Sequence, residues 1–170
     1  MNITNCPFNC LVVMLIMFLT NPISAEQRVA PDFKAETLDG RKIELSKLLK
    51  DGPVLISFWA THCKPCIQEL RDIKKSYDEF EKKGFKLLAI SQDGPRSISK
   101  VRNLVSSLRW RYVVVLDTDM SISRKYQVLG IPHIVLIDKN GKVTYTHTTY
   151  RKGDDEIIKE KISELLKDEN

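Results

Sequence analysis

Two cysteines, Cys63 and Cys66, close an apolar run, Val54-Leu55-Ile56-Ser57-Phe58-Trp59, and open a segment with helical periodicity. A strand that delivers Cys63 to the first turn of a helix sets its sulfur among unpaired backbone N–H groups, at the positive end of the helix dipole. Both favour thiolate over thiol and make a nucleophile near neutral pH. Cys66, one turn further in, is placed to attack the first sulfur and close a disulfide, so the pair can exchange two electrons with another dithiol. Cys63 is thus the expected attacking nucleophile, being nearer the helix start and less covered, and Cys66 the resolving thiol. Pro65 between them costs no hydrogen bond at a helix start. Lys64 adds positive charge beside Cys63 but opposes the dipole, so its net effect is small.

Three further residues sit within reach of this chemistry. Glu69 lies three positions after Cys66, where a carboxylate can fold back toward the pair. If buried, its pKa rises and it can shuttle the proton as Cys66 is activated; if exposed, it is an ordinary helix glutamate. His62 could stabilise the Cys63 thiolate when protonated, or be a plain surface histidine. Trp59 reads as core and pocket wall.

The elements that would position these residues follow from periodicity. Residues 33–37 and 42–45, around Asp39-Gly40, read as a β-hairpin, with a helical turn from Leu45 to Leu49. Residues 54–59 form a buried strand by apolar continuity. Ile67, Leu70, Ile73, Tyr77 and Phe80 make one helical face that Gly84 ends. Strands are expected at 85–91 and 112–116, separated by the loop Asp93-Gly94-Pro95 and a helix bearing Ile98, Val101, Leu104, Val105 and Leu108. A short helix follows at 121–126. Strands at 133–138 and 142–146 flank Asn140-Gly141, a type I′ hairpin signal. The last helix, 154–167, should point Ile157, Ile158, Ile162, Leu165 and Leu166 inward. Strand–helix alternation closed by a hairpin and a helix gives an α/β domain with a mixed sheet and helices on both faces.

Phe58-Trp59-Ala60-Thr61-x-Cys63-x-Pro65-Cys66, with Gly130-Ile131-Pro132 ahead of the strand His133-Ile134-Val135-Leu136-Ile137-Asp138, resembles the thioredoxin fold, and more narrowly the TlpA/ResA group of bacterial extracytoplasmic thiol–disulfide oxidoreductases. The resemblance covers about Ala30 to Leu166. It implies a cis peptide bond before Pro132, which packs beside the disulfide, and an active-site acid at Glu69. Plain thioredoxins carry a buried Asp on the preceding strand where Ser57 stands here. The 66 positions from Cys66 to Pro132 leave room for an inserted helix–strand unit, and the N-terminal β-hairpin is also shared with the group. The resemblance further implies contacts to a substrate protein from Trp59, His62, Lys64, Pro65 and Ile131. His62 departs from the Trp common in the group. No cofactor is implied. The implied activity is exchange of a disulfide with partner proteins, in the reducing direction, with apocytochrome cysteines before haem attachment as one example and a membrane electron donor as the source of electrons.

Composition narrows the alternatives. Apolar residues make up 42% of the 170 residues, enough for a core. The net charge of +5 comes from Lys and Arg scattered among Asp and Glu, which argues against nucleic-acid binding. Residues 1–25 contain no Lys, Arg, Asp or Glu and hold a continuous apolar run, 11–19. They read as a secretory signal peptide cleaved after Ala25, with an uncleaved anchor as the alternative. The domain is then 26–170, an extracytoplasmic or periplasmic monomer retaining only Cys63 and Cys66, since Cys6 and Cys10 leave with the signal. Two other functions use the same cysteines. A metal carrier would take Cys63, Cys66 and His133, on the expectation that His133, following Pro132, lies near the pair; no metal is assigned. A peroxiredoxin-like peroxidase would carry Thr or Ser three residues before its cysteine and a Pro earlier; Ala60 and Ile56 stand there.

Overall fold

The computed structural model describes residues 28–167, so the expected signal segment with Cys6 and Cys10 lies outside the described residues. The first elements are a two-stranded antiparallel hairpin, β1 (Lys34–Glu36) and β2 (Lys42–Glu44), with the short helix α1 (Leu45–Leu48). The central sheet then takes β3 (Val54–Trp59), β4 (Lys86–Ser91), β5 (Val113–Leu116), β6 (His133–Ile137) and β7 (Val143–Thr148). Its order is β5-β4-β3-β6-β7: β3, β4 and β5 run parallel, and β6 and β7 are antiparallel additions. Helix α2 (Lys64–Phe80) follows β3, α3 (Ile98–Ser107) precedes β5, α4 (Ser121–Lys125) precedes β6, and α5 (Asp154–Lys167) closes the described chain. This is the thioredoxin-like α/β fold, and α3 with β5 is the inserted helix–strand unit.

All six residues of β3 are buried because both sheet faces are covered. Strand period 2 divides them. Leu55 and Trp59 join Leu87, Ala89, Ile134 and Leu136 under α2 and α5, against Leu70, Ile73, Ile158 and Ile162. Val54, Ile56 and Phe58 join Leu88, Ile90, Val135 and Ile137 on the other face, covered by Leu45, Ile122 and Tyr126. Helix α2 begins on Cys63 as N-cap, with Pro65 in its first turn, and ends through a 3-10 turn (Glu81–Lys83) at Gly84. Gly84 has φ +94°, and a Cβ there would strike the Asp51 carbonyl, so the stop is fixed sterically as well as by conformation.

Two local expectations change. A type I′ turn at Asn140-Gly141 needs positive φ at both residues. Only Gly141 has it, and its N–H donates to the Asp138 carbonyl at 3.0 Å, so the turn starts earlier and Gly141 occupies a left-handed position after it. Ile157, expected inward, is exposed; α5 buries Ile158, Ile162 and Leu166, and Ile157 lies outside that stripe.

Candidate active site

The site forms where β3 ends and α2 begins. The chain leaves Trp59 through a turn closed by the Cys63 N–H donating to the Ala60 carbonyl at 3.0 Å. Cys63 then caps α2: its carbonyl accepts from Ile67 N–H at 3.1 Å, and its Sγ accepts from Cys66 N–H at 3.3 Å. Cys63 and Cys66 are joined as a disulfide with Cα atoms 5.3 Å apart. Cys63 keeps 8% of its surface exposed and Cys66 none. Cys63, at the helix terminus, is thus the less covered of the two, and its sulfur lies at the free N–H groups of the first turn. Lys64, Pro65 and His62 are exposed around it.

Glu69 is completely buried on the inward face of α2, on the same stripe as Cys66 and Leu70. The Ser57 hydroxyl donates to Glu69 Oε1 at 2.9 Å, and Oε2 has no partner among the described residues. Burial pushes the Glu69 pKa up to about 8; the Ser57 hydrogen bond pulls it down, and the Asp154 charge at the start of α5 pushes it further up. Ser57 therefore anchors a carboxylic acid that arrives from the helix rather than from the strand. Asp154 also lies 3.2 Å from His147 Nε2 and accepts from Arg151 N–H at 2.7 Å.

Pro132 is buried and follows a cis Ile131–Pro132 bond. Since Phe58 pairs with His133, the register carries Pro132 alongside Trp59, where the cysteine loop departs. Ile131 is half-buried and touches both core layers. Trp59 is fully buried and meets Trp110 edge-on, with ring centroids 5.0 Å apart, so it is a wall of the site rather than an exposed contact.

His133 is not where it was expected. It pairs with Phe58 and packs near that ring, on the face opposite Cys66. Strand parity decides this: the residue after Pro132 shares the Phe58 face, not the Trp59 face. Its Nδ1 shares a 2.7 Å hydrogen bond with Thr148 Oγ1, and burial, then the charges of Arg28 and His147, lower its pKa. The Cys63–Cys66–His133 metal set is thus not assembled, and among the described residues no group of three His, Cys, Asp or Glu could hold a metal ion.

Sequence reasoning missed Asp93, which is buried beneath the cysteine loop. It accepts from Thr61 N–H at 2.8 Å, from the Thr61 hydroxyl at 2.6 Å and from the Ser91 hydroxyl at 2.9 Å. Beside it, Gln92 N–H donates to the Trp59 carbonyl at 2.8 Å, and the Gln92 amide donates to Ser123, which Asp117 holds. No local pattern marks it: Trp59 pairs with Ser91 in parallel register, and that pairing makes the residues two beyond each strand end, Thr61 and Asp93, emerge side by side.

A model of the AhpC/TSA family matches residues 27–146. The thiol-disulfide oxidoreductase ResA of Bacillus thuringiensis subsp. konkukian (strain 97-27) is 36% identical over 138 residues, covering 81% of this chain and 75% of its own. The ResA of Halalkalibacterium halodurans is 30% identical over 140 residues, covering 82% and 76%. Among solved structures, a thiol:disulfide interchange protein of the thioredoxin family from Chlorobium tepidum TLS superposes with a TM-score of 0.72 at 25% identity, covering 84% of this chain and 99% of that one. A thiol:disulfide interchange protein from Bacteroides sp. gives 0.68 at 26% identity, covering 84% and 91%.

Proposed function

Because the chain belongs to the AhpC/TSA family of the thioredoxin fold and is a thiol–disulfide oxidoreductase, we propose that it works outside the cytoplasm as a reductant of protein disulfides, through Cys63 and Cys66. The observation that carries this reading is a disulfide at the first turn of α2, with Cys63 less covered than Cys66 and a buried acid one turn further in.

In the reduced protein the Cys63 thiolate attacks a sulfur of the partner's disulfide. The S–S bond breaks, a Cys63–partner mixed disulfide forms, and the released partner thiolate takes a proton from solvent. The Cys66 thiol then gives its proton to ionised Glu69 and attacks Cys63 Sγ. This closes the Cys63–Cys66 disulfide and frees the second partner thiolate, which is protonated in turn. Two electrons leave the dithiol for the partner. A carboxyl near pKa 8 suits that exchange, since free cysteine titrates in the same range and the proton moves with little energetic mismatch. Lys64, Pro65, His62 and Ile131 would touch the partner, with Trp59 and Pro132 shaping the floor.

The finer points rest on the TlpA/ResA resemblance and the leader-like segment. Residues 1–25 would direct export and be removed, leaving a monomeric domain from 26 to 170. A membrane electron donor would re-reduce the disulfide, and apocytochrome cysteines are one candidate substrate. Reduction of insulin disulfides tests the activity. Peroxide consumption by the reduced protein, at a rate above disulfide reduction, would favour the peroxidase alternative instead.

A further inference from the structure

The buried carboxylate of Asp93 is used by none of the steps above, yet it is hydrogen-bonded to the loop that presents Cys63. We infer that Asp93 is a positioning residue that holds the Cys63 turn and, through its negative charge under that turn, keeps the cysteine pair strongly reducing. The inference rests on the proposed role of Cys63 as the attacking sulfur.

Position comes from geometry. Asp93 is 6% exposed and lies just past the end of β4. Both its oxygens grip Thr61: Oδ2 takes the backbone N–H at 2.8 Å and Oδ1 the hydroxyl at 2.6 Å. Ser91 donates a third hydrogen bond to Oδ2 at 2.9 Å, while the Asp93 N–H donates back to Ser91 Oγ at 3.2 Å. Three donors on two oxygens, one of them a backbone N–H, suit an acceptor-only carboxylate. Thr61 is the second residue of the turn that the Cys63 N–H closes on Ala60. A fixed Thr61 therefore fixes where Cys63 enters the helix and where its sulfur is presented to a partner.

Charge acts in the opposite sense to the helix. The N-terminus of α2 stabilises a Cys63 thiolate, whereas an anion held two residues away disfavours it. Destabilising the thiolate destabilises the reduced protein relative to its disulfide, and a less stable reduced form makes a stronger reductant. The other charged or titratable groups around Cys63 are His62 and Lys64 on its own segment, Glu69 on α2, and Lys100 on α3, which lines a groove with Thr61 and His62. Ile131 and Pro132 contribute none. Asp93 is the acid gripped by the turn itself.

The test is Cys63 alkylation against pH, together with equilibrium against glutathione, in wild type, Asp93→Asn, Thr61→Val and Thr61→Ser. Asp93→Asn should move the alkylation midpoint down by about one pH unit and, in the glutathione equilibrium run at a pH above both midpoints, make the dithiol about tenfold easier to form from the disulfide, about 30 mV for a two-electron couple. Thr61→Val keeps the charge but loses the hydroxyl grip. It should slow insulin reduction about tenfold with little change in midpoint, and Thr61→Ser should restore the rate. Superimposable midpoints for wild type and Asp93→Asn, or a shift upward, would overturn the electrostatic role. Equal rates for wild type and Thr61→Val would overturn the positioning role, a result that stands even if Asp93→Asn does not fold. Thiol titration does not need turnover, so failure of the wild type to reduce insulin would strike the exchange reaction and leave the Asp93 result readable.

Discussion

Replacing Glu69 with Gln should make the protein more stable, increasingly so as pH rises. Glu69 is fully buried, with its pKa pushed from 4.5 to about 8, chiefly by burial. Since the folded pKa lies above the unfolded one, the folded state binds more protons between those values. Its contribution to stability is complete below about pH 4.5 and is lost as pH climbs through 8. At about 1.36 kcal/mol per unit, the full loss is about 5 kcal/mol, of which about 1 is gone by pH 5, about 3 by pH 7 and nearly all by pH 9. Glutamine has the same shape, keeps a carbonyl oxygen for the Ser57 hydroxyl to donate to, and has no proton to lose. The stability difference, Glu69→Gln minus wild type, should therefore grow by about 4 kcal/mol between pH 5 and pH 9. Urea unfolding of the oxidised proteins, followed by the fluorescence of Trp59 and Trp110, measures it. A difference that stays constant across that range would refute the argument, because it would mean that Glu69 ionises as an exposed glutamate does. In the reduced protein the same variant should slow insulin reduction by a factor on the order of 10² and change the pH dependence of thiol alkylation, as loss of a proton acceptor requires.

Other consequences can be checked separately. Ser57→Ala removes the hydroxyl that donates to Glu69, so it should cost about 1–3 kcal/mol and raise the Glu69 pKa further, read as a shift of the stability–pH profile to higher pH. Leu70→Ala, at a fully buried position between α2 and the sheet, should cost about 2–5 kcal/mol in the same urea assay while leaving the alkylation midpoint of Cys63 in place. Intact mass of exported protein should show a chain starting at Glu26; a chain retaining Met1 in the membrane fraction would show an anchor instead.

Much of this architecture was legible because it rests on local patterns. The mostly apolar run of β3 requires cover on both faces, and Leu70, Ile73, Tyr77 and Phe80 of the expected stripe lie on the face that α2 buries, with Ile67 at its edge. The cysteine pair and Pro132 were readable as motifs; the sequence left Glu69 open between a buried acid and an exposed helix glutamate, and the packing of α2 on the sheet beside Ser57 buries it. What escaped depends on parity and on pairing across sequence. His133 needed the β3–β6 register to be sent to the Phe58 face. Asp93, in Asp93-Gly94-Pro95, has the composition of a turn, and only the parallel register of β3 and β4 brings it under Thr61, 32 residues away. The hairpin after β6 carried the right dipeptide, but the turn begins one residue earlier, at Asp138, and of the two residues only Gly141 takes the left-handed conformation.

Everything proposed for the cysteine pair depends on which sulfur meets the partner. Cys63→Ser and Cys66→Ser variants, each incubated with oxidised insulin and digested without reduction, can be compared by mass spectrometry. Cys66→Ser should accumulate a mixed disulfide mapped to Cys63, because nothing remains to resolve it, and Cys63→Ser should accumulate none. Mixed disulfides mapped to Cys66 in the Cys63→Ser variant, at yields equal to or above those of its counterpart, would contradict the assignment of Cys63 as the attacking thiol.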